Sequence, residues 1–267
     1  MKITLFTSNQ NRHNSLINLI SDNCDELFVI QECKSVFPGI VPGQYPANEL
    51  MKKYFKKVKN AEEKFFSQSS IHSNLNKKLN ILPIIYGDLS KFSIEKLSPF
   101  LNSDIYIVFG SSYIKGDLIN FLIKKKTINI HMGISPYYRG TDCNFWALYD
   151  NNPDLVGASV HMLSSGLDSG DILYHAISTL KDDPFNYTMS TVLAAFKSII
   201  VRLKDKTLFK IKPQPQDKKL EIRYSRKDDF NENVVKKFLE KDIDLKTKVF
   251  NLSKFKDPYV LKSDEKY

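Results

Sequence analysis

The sequence has few cysteines and no long hydrophobic run. Its 267 residues include three cysteines, Cys24, Cys33 and Cys143, and none of them forms a CxxC pair. This pattern argues against a disulfide framework or a cysteine-ligated zinc site and is typical of a reducing cytoplasm. No apolar stretch approaches the roughly 20 residues that cross a bilayer as a helix. We therefore predict a cytoplasmic protein without a targeting segment and without a membrane partner.

The signatures of several large enzyme classes are also missing. The first predicted strand–helix turn, residues 7–11, lacks the glycines that bring a helix N-terminus against a dinucleotide pyrophosphate. The sequence contains no GxxxxGK[ST] phosphate loop, no GxSxG nucleophile elbow and no HExxH zinc motif. These absences disfavour a nicotinamide enzyme, a P-loop NTPase, an α/β-hydrolase and a zinc protease, and we predict a site without a metal.

Positive charge is present in excess, and it is unevenly distributed. The 39 Lys and Arg residues exceed the 30 Asp and Glu residues, which gives a net charge of +9. Residues 181–267 hold 21 basic and 14 acidic side chains, so this last third carries a surplus of seven. Such a surplus favours an anionic partner, whether a phosphate-bearing ligand, a nucleic acid or a membrane surface. Charge alone does not choose among them.

Short apolar runs alternate with helical periodicity along most of the chain, which is typical of an α/β fold with a doubly wound, mostly parallel sheet. The predicted strands are 3–6, 27–30, 81–85, 105–109, 128–132, 156–163 and 172–177. The predicted helices begin near residue 16 and then span 47–68, 92–101, 116–125, 142–149 and 187–203. Ligands of such sheets bind at the carboxyl ends of the strands.

A proline-rich stretch at 212–216 breaks this alternation. We take it as the boundary between a core, residues 1–211, and a small C-terminal strand and helix appendage, residues 212–267. Within the appendage, residues 220–226 resemble a strand and 231–241 a helix.

Two polar residues share one face of the strand at 128–132. Side chains alternate along a strand, so Asn129 and His131 point to one side and their apolar neighbours to the other. An amide that can donate to an oxyanion, beside an imidazole that exchanges protons near neutral pH, suits acyl transfer. A structural hydrogen-bonded pair at a strand end explains the same residues.

Two turns add further candidates. The segment Ser164–Asp171 places Asp168 in a glycine-containing loop between two strands, although a hairpin loop with acidic decoration has the same appearance. The turn Ser135–Gly140 carries Arg139, which can bind an anion or pair with a surface carboxylate.

The order of these pieces resembles the core of the folate-dependent formyltransferases. The strand INIH, the turn SPYYRG, the helix FWAL, the strand GASVH and the loop GLDSGDIL follow one another over residues 104–178. The resemblance implies a formyltransferase Rossmann-like core, N10-formyltetrahydrofolate as formyl donor, and Asn129, His131 and Asp168 as catalytic residues. In that scheme Asn129 and His131 stabilise a tetrahedral oxyanion, and Asp168 orients the imidazole and assists proton transfer.

The same resemblance implies two pterin-binding segments and a class of substrate. The implied cofactor contacts are Phe109, Gly110, Ser111, Ile114, Ser164, Ser165, Gly166 and Leu167. The chain departs from the family at Ser164–Ser165, where relatives often carry an acidic residue. The stretch LEIRYSRKDDF at 220–230 resembles a segment of enzymes that act on dTDP-linked amino sugars. The predicted substrate contacts are Ser135, Tyr138, Arg139, Tyr224 and Arg226.

The predicted substrate is a nucleotide-linked amino sugar, a 3-amino or 4-amino dideoxyhexose used in surface polysaccharide synthesis, and the predicted assembly is a homodimer. Part of the charge surplus in residues 218–227 is expected to meet the sugar nucleotide's diphosphate. The roughly 55 residues that follow Pro213 are fewer than the tRNA-binding barrel of methionyl-tRNA formyltransferases requires. Formylation of methionyl-tRNA by a shortened enzyme stays open as an alternative. So does an RNA-binding protein on an inactive scaffold, although no RNA-binding motif appears.

Overall fold

The computed structural model describes residues 1–34, 48–67, 71, 78–245 and 250–262. These residues form strands β1 Lys2–Ser8, β2 Glu26–Cys33, β3 Lys78–Ile85, β4 Ile105–Phe109, β5 Ile128–His131, β6 Tyr138–Gly140, β7 Ala158–Met162, β8 Ile172–Ser178, β9 Arg223–Ser225 and β10 Tyr259–Leu261. The helices are α1 Asn11–Ser21, α2 Glu49–Phe66, α3 Ile94–Leu97, α4 Gly116–Lys124, α5 Cys143–Tyr149, α6 Pro184–Lys204 and α7 Glu232–Glu240. None of the helices in these ranges has the length and apolar character needed to cross a membrane.

Eight strands form one sheet in the order β10-β8-β7-β5-β4-β1-β2-β3. The four pairings that join β3, β2, β1, β4 and β5 are all parallel. β7 runs antiparallel to both β5 and β8, and β10 is parallel to β8. The chain order reverses between β1 and β4, which is the topological switch point of a doubly wound sheet. The predicted α/β, mostly parallel class is confirmed.

Helices cover both faces of the parallel part of the sheet. On β4, Ile107 points into a core shared with α1, α2 and α6, and the next residue, Val108, points into a core shared with α4. This is the arrangement expected of a strand that is apolar on both sides. On β5, in contrast, only Ile128 and Ile130 enter the core beneath α6. Asn129 and His131 therefore lie on the opposite face.

Several element boundaries differ from those predicted. The helix expected over 92–101 is only the single turn α3, flanked by 3-10 turns at Leu89–Lys91 and Ser98–Phe100, because Pro99 cannot continue an α-helix. Helix α6 begins earlier than predicted, since Asp183 caps it by accepting from the backbone N–H groups of Phe185 and Asn186. The helix expected over 47–68 corresponds to α2, and the predicted end residues 47 and 68 lie outside the described residues.

The described residues after 211 pack against the rest of the protein. β10 adds an edge strand to the main sheet, and β9 pairs with β6 in a small parallel sheet. Phe238 of α7 lies 4.6 Å from the ring of Phe145 and 6.1 Å from that of Tyr54, in a core that joins α2, α5 and α7. Part of this segment thus completes the core formed with α2 and α5. The predicted boundary at residue 212 between a core and an appendage stays a proposal.

Candidate active site

The carboxylate of Asp168 lies over the polar face of β5. Its Oδ1 is 3.3 Å from Nδ1 of His131 and accepts from Nδ2 of Asn129 at 3.5 Å. Its Oδ2 accepts from the backbone N–H of Gly140 at 3.3 Å. The connection between β7 and β8 thus folds back over β5. The structure brings the three predicted catalytic side chains into one cluster.

His161, which the sequence analysis did not select, completes this cluster. It stands opposite Asn129 in the β5–β7 pairing, and its Nε2 lies 3.0 Å from Nδ2 of Asn129. Its Nδ1 lies 2.8 Å from the carbonyl oxygen of Met162. Burial lowers the pKa of His161 to about 4, despite the opposing charge of Asp168. At neutral pH the ring is therefore uncharged, donates from Nδ1 and accepts the Asn129 amide proton at Nε2.

His131 has acceptors near both of its ring nitrogens. Nδ1 faces Asp168, and Nε2 lies 3.3 Å from the carbonyl oxygen of Tyr138. A neutral imidazole has one N–H and can donate to only one of the two, whereas an imidazolium donates to both. The surroundings therefore suit a ring that gains and loses a proton during a reaction.

The two segments expected to bind the pterin lie next to each other. The hydroxyl of Tyr113 donates to the carbonyl oxygen of Ser165 at 2.9 Å and so joins the 109–114 segment to the 164–167 loop. Phe109 and Ile114 are buried in the two separate cores on either side of β4, so their contact with the pterin stays a prediction. The side chains of the 164–167 loop are partly or fully exposed.

Gly110 has a left-handed backbone, with φ of +65°. A Cβ atom at this position would lie 2.5 Å from Cε1 of His13. His13 is itself buried and held by a 2.7 Å hydrogen bond between its Nδ1 and the hydroxyl of Thr7. A glycine is therefore required where the chain leaves β4.

Two of the predicted substrate contacts have buried side chains. Ser135 is fully buried. The hydroxyl of Tyr138 is also enclosed, 2.7 Å from Nδ2 of Asn152 and 3.3 Å from the carboxylate of Asp150. Both side chains support the turn from within in this structure, and their assignment to the substrate stays a prediction.

The other predicted substrate contacts lie closer to the surface. The guanidinium of Arg139 donates to the carbonyl oxygen of Leu167 and to the carboxylate of Glu221, each at 2.9 Å. Tyr224 is 42% exposed, and its ring centroid lies 5.7 Å from Cζ of Arg139. Arg226 is exposed and follows on the same segment. Arg139 and Tyr224 thus sit together beside the loop that carries Asp168.

A cationic group that the sequence analysis missed lies at the end of β2. Nζ of Lys34 stands 4.7 Å from the ring centroid of Tyr86. Burial lowers the pKa of Lys34, and the positive charges of Arg12 and Lys227 lower it further. An anion bound here would relieve that repulsion. Lys34 follows the second predicted strand, which was the available signal, but the approach of Arg12 and Lys227 depends on the fold.

Among the residues that the structure describes, no cluster of three His, Cys, Asp or Glu side chains has the arrangement of a metal site. The three cysteines carry free thiols. Burial raises the pKa of Cys143 well above its ordinary value, so it is unsuited to act as a thiolate nucleophile.

Comparison with known proteins finds sequence similarity over the central segment of the chain. The model of the formyl transferase family matches residues 96–202, a range that includes Asn129, His131, His161 and Asp168. The methionyl-tRNA formyltransferase of Blochmanniella floridana is 33% identical over 153 residues, which cover 55% of this chain and 46% of that protein. The methionyl-tRNA formyltransferase of Finegoldia magna is 26% identical over 138 residues, which cover 52% and 43%. The chain therefore spans about half the length of these curated relatives.

Solved structures share the fold at low identity. A sugar N-formyltransferase from a Shewanella species has a TM-score of 0.54 and 17% identity, with 86% of this chain and 78% of that one covered. A 4-N formyltransferase from Francisella tularensis has a TM-score of 0.52 and 17% identity, covering 85% and 77%. Glycinamide ribonucleotide transformylase 1 from Symbiobacterium toebii has a TM-score of 0.51 and 14% identity, covering 81% and 94%.

Proposed function

We propose that the protein is an N-formyltransferase that uses N10-formyltetrahydrofolate, since the model of the formyl transferase family matches residues 96–202. Its proposed acceptor is the amino group of a nucleotide-linked dideoxy-amino sugar. The observation that carries the proposal is the cluster of Asn129, His131 and Asp168, with their polar atoms 3.3 to 3.5 Å apart inside the matched segment.

The hydrogen bonds of Asn129 suit it to stabilise negative charge. One N–H of its amide is held by Nε2 of His161 at 3.0 Å. The other contacts Asp168 only at 3.5 Å, the outer limit of a hydrogen bond, and is therefore available to an oxyanion. His161 thus fixes the amide in the orientation that the reaction needs.

His131 and Asp168 are placed to take part in proton transfer. An amine that forms a bond to a formyl carbon must lose a proton, and the carboxylate of Asp168, which contacts both Asn129 and His131, is a base placed to accept it. Asp168 also holds Nδ1 of His131, which keeps the ring oriented. Bound N10-formyltetrahydrofolate would supply the formyl group: the bond from the formyl carbon to N10 would break, and N10 would take up the proton that the acceptor amine loses.

The residues beside this cluster fit the formyl donor. The 109–114 segment and the 164–167 loop stand together through the Tyr113–Ser165 hydrogen bond and present partly exposed serine side chains, including Ser111, Ser164 and Ser165. Such groups can hold the polar edge of a pterin.

The charge distribution supports an anionic acceptor. Lys34, Arg12 and Lys227 interact closely enough to lower the pKa of Lys34. Arg139 and Tyr224 add a cation and an exposed ring on the C-terminal side of the site. A sugar nucleotide has a base that can stack on such a ring and a diphosphate that such cations can bind. We further propose a dTDP-linked 3-amino or 4-amino dideoxyhexose, a cytoplasmic homodimer and a role in surface polysaccharide synthesis.

A second candidate acceptor is methionyl-tRNA. The curated relatives with 33% and 26% identity carry this activity in their names. The two acceptors differ in the number of phosphates that the protein must contact, and hence in the salt dependence of binding.

A direct assay decides between them. The protein is incubated with N10-formyltetrahydrofolate and with aminated dTDP-, UDP- and GDP-sugars or methionyl-tRNA, and mass spectrometry detects the gain of one formyl group. We expect formylation of a dTDP-amino sugar and much slower formylation by an Asp168→Asn variant. Formylation of methionyl-tRNA alone would favour the second candidate, and the absence of any formylated product would contradict both.

A further inference from the structure

The segment from Gln214 to Glu221 is joined by hydrogen bonds and an ion pair to the loop that carries Asp168 and to its neighbours. The backbone of Gln214 exchanges two hydrogen bonds with Ile172, at 2.8 and 2.9 Å, which fix the segment antiparallel to the start of β8. At its other end, Glu221 holds Arg139, whose guanidinium donates to the carbonyl oxygen of Leu167. The segment from Gln214 to Glu221 is therefore bonded on both sides of the loop that carries Asp168.

Gln216 lies between these two attachments and contacts the loop directly. Its Nε2 donates to the carbonyl oxygen of Asp168 at 2.8 Å and to that of Gly170 at 2.7 Å. Both hydrogens of one amide thus bind two carbonyl groups, one on each side of Ser169. Among the described residues, Oε1 of Gln216 is buried with no hydrogen-bond partner. The donor end of this side chain is the part that the structure uses.

Asp168 needs such support because its backbone is left-handed, with φ of +47°. Asp tolerates this conformation better than most residues, but it is held there only where neighbouring bonds determine it. A rotation of the Asp168 peptide would carry its carboxylate away from Nδ1 of His131, 3.3 Å away. The hydrogen bonds from Gln216 oppose that rotation.

We propose that Gln216 is a positioning residue that holds the Asp168 peptide in place, and so keeps the carboxylate over Asn129 and His131. This role rests on the proposed function, in which Asp168 takes part in proton transfer. It gives the C-terminal segment a part in the reaction that does not depend on contact with the nucleotide.

The test compares three variants. Gln216→Ala removes the donor, and Gln216→Glu keeps the shape but turns acceptor oxygens toward the two carbonyls. Gln214→Ala is the matched control, because the Gln214 side chain is exposed and only its backbone bonds to Ile172. We expect kcat to fall about tenfold or more in both Gln216 variants, with KM values within about twofold, because a displaced catalytic group lowers the rate more than it weakens binding. Gln214→Ala should match the wild type.

A second measurement does not depend on the substrate. Hydrogen exchange followed by mass spectrometry should show faster exchange in the peptide covering residues 163–171 for both Gln216 variants, with no change for Gln214→Ala. Exchange and kcat equal to those of the control would overturn the proposal. A fall in kcat with unchanged exchange of the loop would also overturn it. If the wild type formylates no amine, the proposed function fails, and the exchange data alone decide whether Gln216 holds the loop.

Discussion

The main sheet has a parallel end, strands β3, β2, β1 and β4, and an antiparallel end, strands β5, β7 and β8, and the two pair different kinds of side chain. Where β1 and β4 run parallel, facing partners include Ile3 with Ile105 and Leu5 with Ile107, all of them buried. Where β5, β7 and β8 run antiparallel, Asn129 faces His161, and Ser159 lies between His131 and His175. One end of the sheet supplies a rigid apolar support, and the other places polar groups in fixed rows beneath the loop that carries Asp168.

The polar rows are stable because each member has a partner. Ser159 donates from its hydroxyl to the carbonyl oxygen of Gly133 at 2.7 Å and accepts from the backbone N–H of Ser135 at 2.8 Å. His175 donates from Nε2 to the carbonyl oxygen of Ser135 at 2.9 Å and accepts at Nδ1 from the backbone N–H of Lys256. The turn after β5 is thus held by strands β7 and β8. The two ends of the sheet should therefore respond differently to substitution and to pH.

The largest effect is expected for Asp168→Asn. The amide has the same shape but is not a base, so kcat should fall by roughly 100- to 10,000-fold, the usual contribution of a general acid–base group. Asp171→Asn, an exposed neighbour on the same loop, is the matched control and should keep its activity. Steady-state kinetics with the acceptor identified by mass spectrometry provide the measurement. Equal rates for the two variants would remove Asp168 from the mechanism.

The sequence alone predicts part of this arrangement. Alternation along β5 is enough to place Asn129 and His131 on one face, because the period of a strand is fixed. The motif order brings Asp168 into the same family pattern. An apolar run carries no direction, however, so the reversal of β7 could not be predicted, and neither could the facing of Asn129 and His161 that depends on it.

The missed residues depend on contacts between distant parts of the chain. Gln216 reaches Asp168 across 48 positions of sequence. It belongs to a proline-rich stretch whose composition resembles that of a linker. The burial of Tyr138, a predicted substrate contact, has the same origin, because its side chain packs in a core with α5 and its strand pairs with β9.

The second prediction tests the rigidity of the parallel end with two glycines. Gly110→Ala places a Cβ 2.5 Å from the buried ring of His13, in a backbone with φ of +65°. Gly116→Ala has nearly the same φ, +68°, but nothing within 4 Å of the added atom. We expect Gly116→Ala to lower the free energy of unfolding by about 1–2 kcal/mol, the cost of the left-handed backbone alone.

Gly110→Ala should cost about 1–3 kcal/mol more than Gly116→Ala, because the His13 side chain has no room to move. Urea unfolding of both variants measures the difference. Equal losses would mean that the parallel end adapts to added volume as easily as an open turn, and the contrast between the two ends of the sheet would disappear.

The third prediction concerns pH and the antiparallel end. Burial lowers the pKa of His175 from 6.5 to about 4. Above about pH 6.5 neither the folded nor the unfolded chain protonates this ring. Between about 6.5 and 4 only the unfolded chain does, so the free energy of unfolding decreases as the pH falls, by about 1.4 kcal/mol per pH unit for this histidine.

A His175→Gln variant isolates this effect, since an amide can still donate to Ser135 and accept from Lys256 but does not titrate. We expect urea unfolding at pH 6, 5.5 and 5 to give a slope that is smaller by about 1.4 kcal/mol per pH unit than that of the wild type. His13 and His161 titrate in both proteins and cancel in the comparison. If the two slopes coincide, His175 is not held neutral by its burial, and the rows beneath the Asp168 loop tolerate charge as readily as a surface does.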